Sequence, residues 1–205
     1  MIDAICNKIT SKIRREMPEI NDEKAEIINY GLQLIVGEIP KFLLLFMIAY
    51  LLKVLELSIL ALITISPYRM VSGGVHLKTH LGCLTATALF YIGNAFLSKT
   101  IILESKAKLI ICLVVWIFSM LMIKLYAPAD TEAVPILRKK ERKIKQILSY
   151  GIMTITICVA LRIRNSTISN ILLFGVLLQT IAITRFMYKI TNNKYGHEVY
   201  NQEKK

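Results

Sequence analysis

Three long apolar runs constrain this chain more than any other feature of its sequence. Residues 147–161 and 168–183 contain no charge, and residues 109–125 contain only Lys124. Segments of this kind suit the hydrocarbon core of a bilayer, and a soluble chain of 205 residues would lack the polar sequence to cover three of them. The runs therefore predict an all-α, polytopic membrane helical bundle, with residues 1–205 forming a single domain.

Basic residues predict how many spans there are. The chain carries 26 Lys and Arg against 14 Asp and Glu. Residues 42–66 are ambiguous, because Lys53 and Glu56 interrupt a stretch that fits one long helix or two short ones. Two helices there give six spans, with eighteen basic residues on one side of the membrane and six on the other, whereas one helix almost removes this bias. The positive-inside rule therefore favours about six spans with both termini in the cytoplasm.

The first twenty residues predict an amphipathic helix. Four isoleucines recur there at helical spacing beside four basic residues: Ile2, Ile5, Ile9 and Ile13, with Lys8, Lys12, Arg14 and Arg15. This pattern is typical of a helix that lies on an anionic membrane surface, and a solvated packing helix is the alternative. The apolar residues are too scattered for the central run of a signal peptide.

Residues 67–83, between the second and third predicted spans, contain the densest group of reactive side chains. Two of the three histidines, His76 and His80, lie within eight residues of Cys83. A thiol nucleophile reacts as the thiolate and is commonly activated by an imidazole. On one continuous helix His76 and Cys83 would be separated by roughly 10 Å of rise, too far for a hydrogen bond. A catalytic pair therefore requires a broken segment, which the neighbouring glycines permit.

The residues alone leave three interpretations open. Spacing along a regular helix would favour His80 over His76 as the partner of Cys83. All three residues would also share one helical stripe, as metal ligands do, although no fourth ligand is evident. Alternatively, both histidines are polar residues at the membrane interface and Cys83 only packs. The four cysteines form no CxxC spacing and predict no disulfide framework.

A resemblance to a known family rests on three features of the sequence. Arg69 precedes Gly73-Gly74-Val75-His76, with Cys83 seven residues after the histidine; residues 126–132 read Tyr-Ala-Pro-Ala-Asp-Thr-Glu, with Pro135-Ile136 after them; and the basic residues 138–145 follow directly. In these features, and in its length and span pattern, the chain resembles the accessory gene regulator B (AgrB) family. These are membrane peptidases that process quorum-sensing propeptides in Gram-positive bacteria.

The resemblance implies a function and a site. A family member of this kind cleaves a short AgrD-like propeptide before its acidic C-terminal tail, then releases a peptide cyclised as a thiolactone or lactone. Cys83 corresponds to the nucleophile and His76 to its base, while His80 receives no catalytic role. The resemblance implies no metal, no cofactor and no nucleic-acid partner. It implies a homodimer in the bacterial cell membrane, with lipid around it. The six-span topology favoured by the basic residues places residues 67–83 on the cytoplasmic side.

Further residues are expected to bind the propeptide. The predicted cytoplasmic loop 126–146 contains two prolines and a basic stretch that suits an acidic tail, although lipid headgroups would attract the same charges. As a group that orients His76, Asp130, Glu38 and Thr79 are candidates. The predicted substrate-binding residues are Arg69, Lys78, Asp130, Arg138, Lys139, Lys140, Arg142 and Lys143.

Two other functions remain possible from the sequence. A small transporter would use polar residues in or near the spans, namely Glu38, Asn94 and Gln179, to line a pathway. A non-catalytic membrane adaptor for a small peptide would use residues 67–83 only to bind a partner. Neither function requires a reactive thiol at Cys83, so substitution of this residue discriminates between them and a peptidase.

Overall fold

The structure of the chain, a computed structural model, describes residues 2–77, 80–132 and 134–203. In this part of the chain we find ten α-helices and one π-helical segment, Leu89–Gly93. The α-helices are α1 (Ile2–Glu16), α2 (Asp22–Leu51), α3 (Leu55–Ser72), α4 (His80–Ala88), α5 (Asn94–Thr100), α6 (Ser105–Tyr126), α7 (Lys139–Arg162), α8 (Ser166–Ala182), α9 (Arg185–Ile190) and α10 (Gly196–Glu203). The protein is an all-α membrane protein, as the apolar runs predicted.

The chain forms two compact units, Met1–Leu51 and Leu52–Lys205. In the first unit, α1 packs along α2. The Asn29 side chain donates a hydrogen bond to Asn7 at 2.9 Å, and Arg14 forms an ion pair with Asp22. Cys6 is fully buried, while Ile5 and Ile9 on α1 remain exposed. The helix predicted for the first twenty residues is therefore present, and its position on a membrane surface stays a prediction.

The ambiguous stretch 42–66 is divided between two helices, as the charge distribution favoured. Helix α2 ends at Leu51 and α3 begins at Leu55. Lys53, between them, adopts the left-handed conformation with φ 56°, which cannot continue a right-handed helix. Four helices of the described chain, α2, α3, α6 and α7, are long and apolar enough to cross a membrane. The number of spans stays a prediction.

Helix α8 is the centre of the second unit, where it contacts α3, α5, α6 and α7. It is buried along most of its length. A Cβ atom on Gly175 would lie 2.6 Å from Ile65 Cγ1, so glycine allows α3 to approach α8 closely. Thr180 adds a buried polar contact, since its hydroxyl oxygen lies 3.1 Å from the Tyr68 hydroxyl and 2.8 Å from the Ser119 hydroxyl.

The outer faces of α6 and α7 suit lipid. Leu109 and Leu125 on α6 and Ile155 on α7 are each about 60% exposed (59, 63 and 64%). Large apolar side chains in such numbers on the outside of a bundle are stable in hydrocarbon rather than in water.

The basic stretch was predicted to be part of a loop, but most of it lies in a helix. Only the residues up to Arg138 form an irregular connection after α6, and α7 begins at Lys139. Lys, Arg and Glu are good helix formers, and the pair Glu141–Lys145 at 3.0 Å adds an i,i+4 contact. The predicted loop 126–146 is therefore too long at its C-terminal end, although its proline-containing part is irregular as expected.

Candidate active site

Two glycines break the chain after α3. Gly73 ends the helix with φ +72° and Gly74 follows with φ +134°, both in the region that side chains rarely adopt. A Cβ atom on Gly73 would lie 2.2 Å from the carbonyl oxygen of Ala129, so only glycine fits this close approach. The break that the predicted pairing of His76 with Cys83 requires is therefore present, at Gly73 and Gly74 rather than at Gly82, which lies within α4.

Residues 73–77, which we call the site segment, continue from this break without helical structure and are held by backbone hydrogen bonds on two sides. The Gly74 N–H donates to the Ala129 carbonyl at 2.8 Å, and the Val75 N–H donates to the Ala182 carbonyl at 3.2 Å. Ala129 in turn donates to the Ser72 carbonyl at 2.8 Å. The loop after α6 and the end of α8 thus fix the path of the site segment.

Gln179 of α8 fastens the same break from within the bundle. Its side-chain amide donates to the Gly73 carbonyl at 2.7 Å and to the Ser72 hydroxyl at 2.8 Å. Its carbonyl oxygen accepts from Arg69 at 3.1 Å, and Arg69 also donates to the Val75 carbonyl at 2.9 Å. Gln179 is fully buried, and its polar atoms form hydrogen bonds that stabilise the break after α3.

His76 and Cys83 line one cavity of about 390 Å³. His76 is an exposed residue of the site segment, and Cys83 is a partly buried residue in the first turn of α4. Most other groups around the cavity are apolar, among them Val75, Leu77 and Phe90. The structure thus brings the two residues predicted to be catalytic to the same cavity.

Arg69, a predicted substrate-binding residue, lines this cavity too. Its guanidinium lies over the Phe90 ring, 5.6 Å from the centroid. The cavity therefore combines a thiol, an imidazole and one fixed positive charge within a mostly apolar wall.

The single helical stripe of His76, His80 and Cys83 is not formed. His76 lies in the site segment and α4 begins only at His80, so the first residue of the proposed metal stripe is not helical. The geometrical argument for that stripe, and the argument that prefers His80 by spacing, both assumed one regular helix. The side chain of His80 lies outside the described part of the structure, as do Lys78 and Thr79 entirely.

Asp130 has a different neighbour from the one predicted. Its carboxylate is fully buried, and Oδ1 lies 2.6 Å from Nδ1 of His197. Oδ2 accepts from the backbone N–H groups of Ile136 and His197, each at 2.9 Å, and lies 3.4 Å from Arg142. The proposed role of Asp130 in orienting His76 is therefore replaced by a structural role. Glu38, the other described candidate, pairs with Lys41 on α2 at 2.5 Å.

The basic residues divide into two groups. Arg142 is partly buried and donates to the carbonyls of Pro128 and Ile136, in addition to its pairing with Asp130. It therefore holds the loop after α6, which a surface residue reserved for substrate would not do. The other predicted substrate-binding residues of this stretch are exposed: Arg138, Lys139, Lys140 and Lys143.

A cluster around His197 was missed by sequence reasoning. Tyr188 and Tyr195 stack with ring centroids 4.1 Å apart, and the Tyr188 hydroxyl donates to the Asp130 carbonyl at 3.0 Å. Burial raises the pKa of both tyrosines, so their hydroxyls stay protonated and act as hydrogen-bond donors. In the sequence this region reads as a charged tail, and the only signal was three aromatic or imidazole residues close to Gly196.

Comparisons with known proteins identify the family of this chain. The family model of accessory gene regulator B matches residues 6–183. A protein of Listeria monocytogenes serovar 1/2a named as AgrB-like is 28% identical over 183 residues, which cover 88% of this chain and 87% of that protein. One of Clostridium beijerinckii with the same name is 26% identical over 168 residues, 82% of this chain and 83% of its own. No solved structure matches. The chain belongs to the accessory gene regulator B family.

Proposed function

We propose that this protein is a membrane cysteine endopeptidase that cleaves a short AgrD-like propeptide before its acidic C-terminal tail. The observation that carries the proposal is that His76 and Cys83 line one cavity, across a break in the chain that a continuous helix would not provide. Membership of the AgrB family supports a role in the accessory gene regulator quorum-sensing system. We further propose that both termini and the cavity face the cytoplasm, where reducing conditions keep the thiol free.

The proposed reaction begins at the thiol. His76 takes the proton of Cys83, and the sulfur attacks the carbonyl carbon of the scissile peptide bond. His76 then gives the proton to the departing amine, so that the acidic tail leaves and the N-terminal part of the propeptide remains as an acyl thioester on Cys83. Arg69 supports this step, since its fixed positive charge lies on the same cavity and favours the negative charge that develops during attack.

The second step forms the ring. A cysteine or serine side chain within the bound peptide attacks the thioester, which releases the Cys83 thiol and closes a thiolactone or lactone. Water is the competing nucleophile, and the apolar wall formed by residues such as Val75 and Leu77 disfavours water at the acyl carbon. Cyclisation then needs only that the peptide nucleophile be held near the thioester.

We also propose that the exposed basic residues at the start of α7 attract the acidic tail of the propeptide. Arg138, Lys139, Lys140 and Lys143 are exposed, whereas Arg142 is engaged in packing. Such charges accelerate the encounter with an oppositely charged peptide, and they also bind anionic lipid. Reversing these charges would weaken capture of the propeptide if they bind its tail. It would weaken membrane binding if they bind lipid headgroups.

A transporter or adaptor is the second candidate, and the polar residues that suggested a transport pathway argue against it. Asn94 and Gln179 are fully buried, and both form hydrogen bonds with neighbouring helices or loops. Neither lines the cavity around Cys83. Small residues on α6, α7 and α8 would suit a homodimer interface, but Ser119, Ala160 and Gly175 are already buried within the bundle, whereas Gly151 is exposed. The homodimer remains a proposal.

One experiment tests the peptidase. The full chain is co-expressed with an AgrD-like propeptide that carries an epitope on its acidic tail, and the released tail is measured for wild type, Cys83→Ser and His76→Ala. Cys158→Ser is the matched control, because this exposed cysteine lies on α7 and outside the cavity. We expect no released tail from Cys83→Ser and wild-type release from Cys158→Ser. Equal release from all variants would refute the proposal.

A further inference from the structure

The segment after α8, residues 184–203, lies against the site segment although the family model ends at residue 183. Met187 and Thr191 line the same cavity as His76 and Cys83. We call residues 184–203 the C-terminal segment. The C-terminal segment forms hydrogen bonds in addition to apolar contacts. One of these hydrogen bonds reaches the site segment at His76, which transfers the proton in the proposed reaction.

Asn193 makes the contact with His76. Its side-chain amide nitrogen donates to the His76 carbonyl at 2.8 Å. The same nitrogen donates to the Thr191 hydroxyl at 2.8 Å, and the Asn193 backbone N–H donates to the Tyr188 carbonyl at 2.9 Å. Hydrogen bonds within the C-terminal segment thus fix Asn193, and Asn193 in turn binds the backbone of His76.

A turn after α9 directs Asn193 toward the site segment. Asn192 adopts the left-handed conformation with φ 53°, which asparagine tolerates better than most residues do. This conformation reverses the chain after α9, so that the next residue faces residues 73–77. The neighbouring Asn192 therefore sets the direction and Asn193 makes the bond.

The residues that follow anchor this turn to the loop after α6. The Tyr195 hydroxyl donates to the Ile183 carbonyl at 2.9 Å, and the His197 ring contacts buried Asp130. A Cβ atom on Gly196 would lie 2.2 Å from the Thr131 carbonyl oxygen, so the backbones touch at this point. Three consecutive residues thus fix the C-terminal segment next to the site segment.

We propose that Asn193 is a positioning residue that holds the backbone of His76 so that its imidazole faces Cys83; the inference rests on the proposed peptidase function. Gly74 and Val75 are held by Ala129 and Ala182, and Asn193 extends this restraint by one residue, to His76 itself. Because Asn193 acts through His76, its loss slows proton transfer and leaves binding of the peptide unchanged.

The test uses the full chain in lipid nanodiscs with the AgrD-like propeptide. Asn193→Leu keeps nearly the same shape without a donor, and Asn193→Ala removes the side chain. We expect kcat to fall about tenfold in both, as for the loss of roughly one positioning hydrogen bond, with KM unchanged. Asn165→Ala is the matched control, since Asn165 caps the distant start of α8 with a similar side-chain hydrogen bond. Wild-type kcat in Asn193→Leu, or an equal fall in Asn165→Ala, would overturn the inference.

A second measurement does not depend on cleavage. Alkylation of Cys83 by iodoacetamide, followed by peptide mapping across a pH series, reports how readily the thiol loses its proton to a neighbouring base. We expect Asn193→Leu to slow alkylation near neutral pH and Asn165→Ala to leave it unchanged. An unchanged alkylation profile in Asn193→Leu would overturn the positioning role even if the propeptide is not a substrate. Failure of the peptidase proposal is separate, because it appears as unchanged cleavage in Cys83→Ser.

Discussion

Two histidines of this protein lie in sites of opposite character. His197 is locked against the fully buried carboxylate of Asp130, with stacked tyrosines beside it. His76 lies exposed on a cavity wall, in a non-helical segment held by its backbone, and it shares that cavity with Cys83. An imidazole bonded to a carboxylate resembles part of a catalytic triad, but around Asp130 and His197 every described polar contact serves packing. The cavity and the thiol within it, more than a carboxylate next to an imidazole, therefore mark the candidate site.

The largest expected effect separates the two histidines directly. We expect His76→Ala to lower kcat by about 10²–10⁴-fold, the usual contribution of a general acid–base group. His197→Ala should lower it by at most about tenfold, because it acts only through the fold around Asn193. Propeptide cleavage under saturating substrate measures both. Equal losses in the two variants would remove the distinction between a catalytic and a structural histidine.

The buried carboxylate should dominate stability rather than chemistry. Asp130→Asn leaves Arg142 and His197 facing a neutral amide, and breaking a buried charged cluster costs about 3 kcal/mol of unfolding free energy. Denaturant unfolding in detergent measures this loss. Glu38→Gln is the control, since the Glu38–Lys41 pair lies at the surface of α2, with Glu38 about half exposed, and should contribute under about 1 kcal/mol. Similar losses from both variants would contradict the assignment of Asp130 as the structural centre.

Two glycines allow a matched comparison of the regions. A Cβ atom at Gly73 or Gly196 would lie 2.2 Å from a backbone carbonyl oxygen, in the first case beside the site segment and in the second beside His197. We expect Gly73→Ala to cost more, about 3 kcal/mol of stability together with most of the activity, because its φ of +72° adds strain. Gly151→Ala meets nothing within 4 Å and should be neutral or stabilising by up to about 1 kcal/mol. Thermal unfolding and cleavage assays check all three.

The smallest effect is expected from surface charge. Replacing Lys139, Lys140 and Lys143 by glutamate should raise KM for the propeptide about fivefold at low ionic strength, since steering changes association more than the bound complex. The difference should disappear at high salt because exposed charges are screened. Arg142→Glu serves as the contrast, and there we expect loss of stability instead. A salt-independent change in KM would indicate direct contact rather than steering.

From the sequence alone, the membrane environment of the chain and a candidate site could be predicted. Apolar runs such as residues 147–161 have no stable alternative to lipid, and a thiol near two histidines in a glycine-containing segment points to few reactions. The sequence also predicted two helices in residues 42–66, because charge bias is a sum over many residues and tolerates local uncertainty. These predictions depend on composition and on spacing between nearby residues, both of which can be read directly from the sequence.

Which distant side chains contact one another became clear only from the fold. Nothing local in the sequence indicated that Asp130 pairs with His197, 67 residues later, or that Asn193 holds His76 across 117 residues. The fold also showed that the basic stretch begins a helix and that Arg142 belongs to the packing rather than to the surface. These contacts form because the helices that pack around α8 bring the site segment and the C-terminal segment together. Hydrogen bonds between residues so far apart in sequence depend on this packing and not on a local sequence pattern.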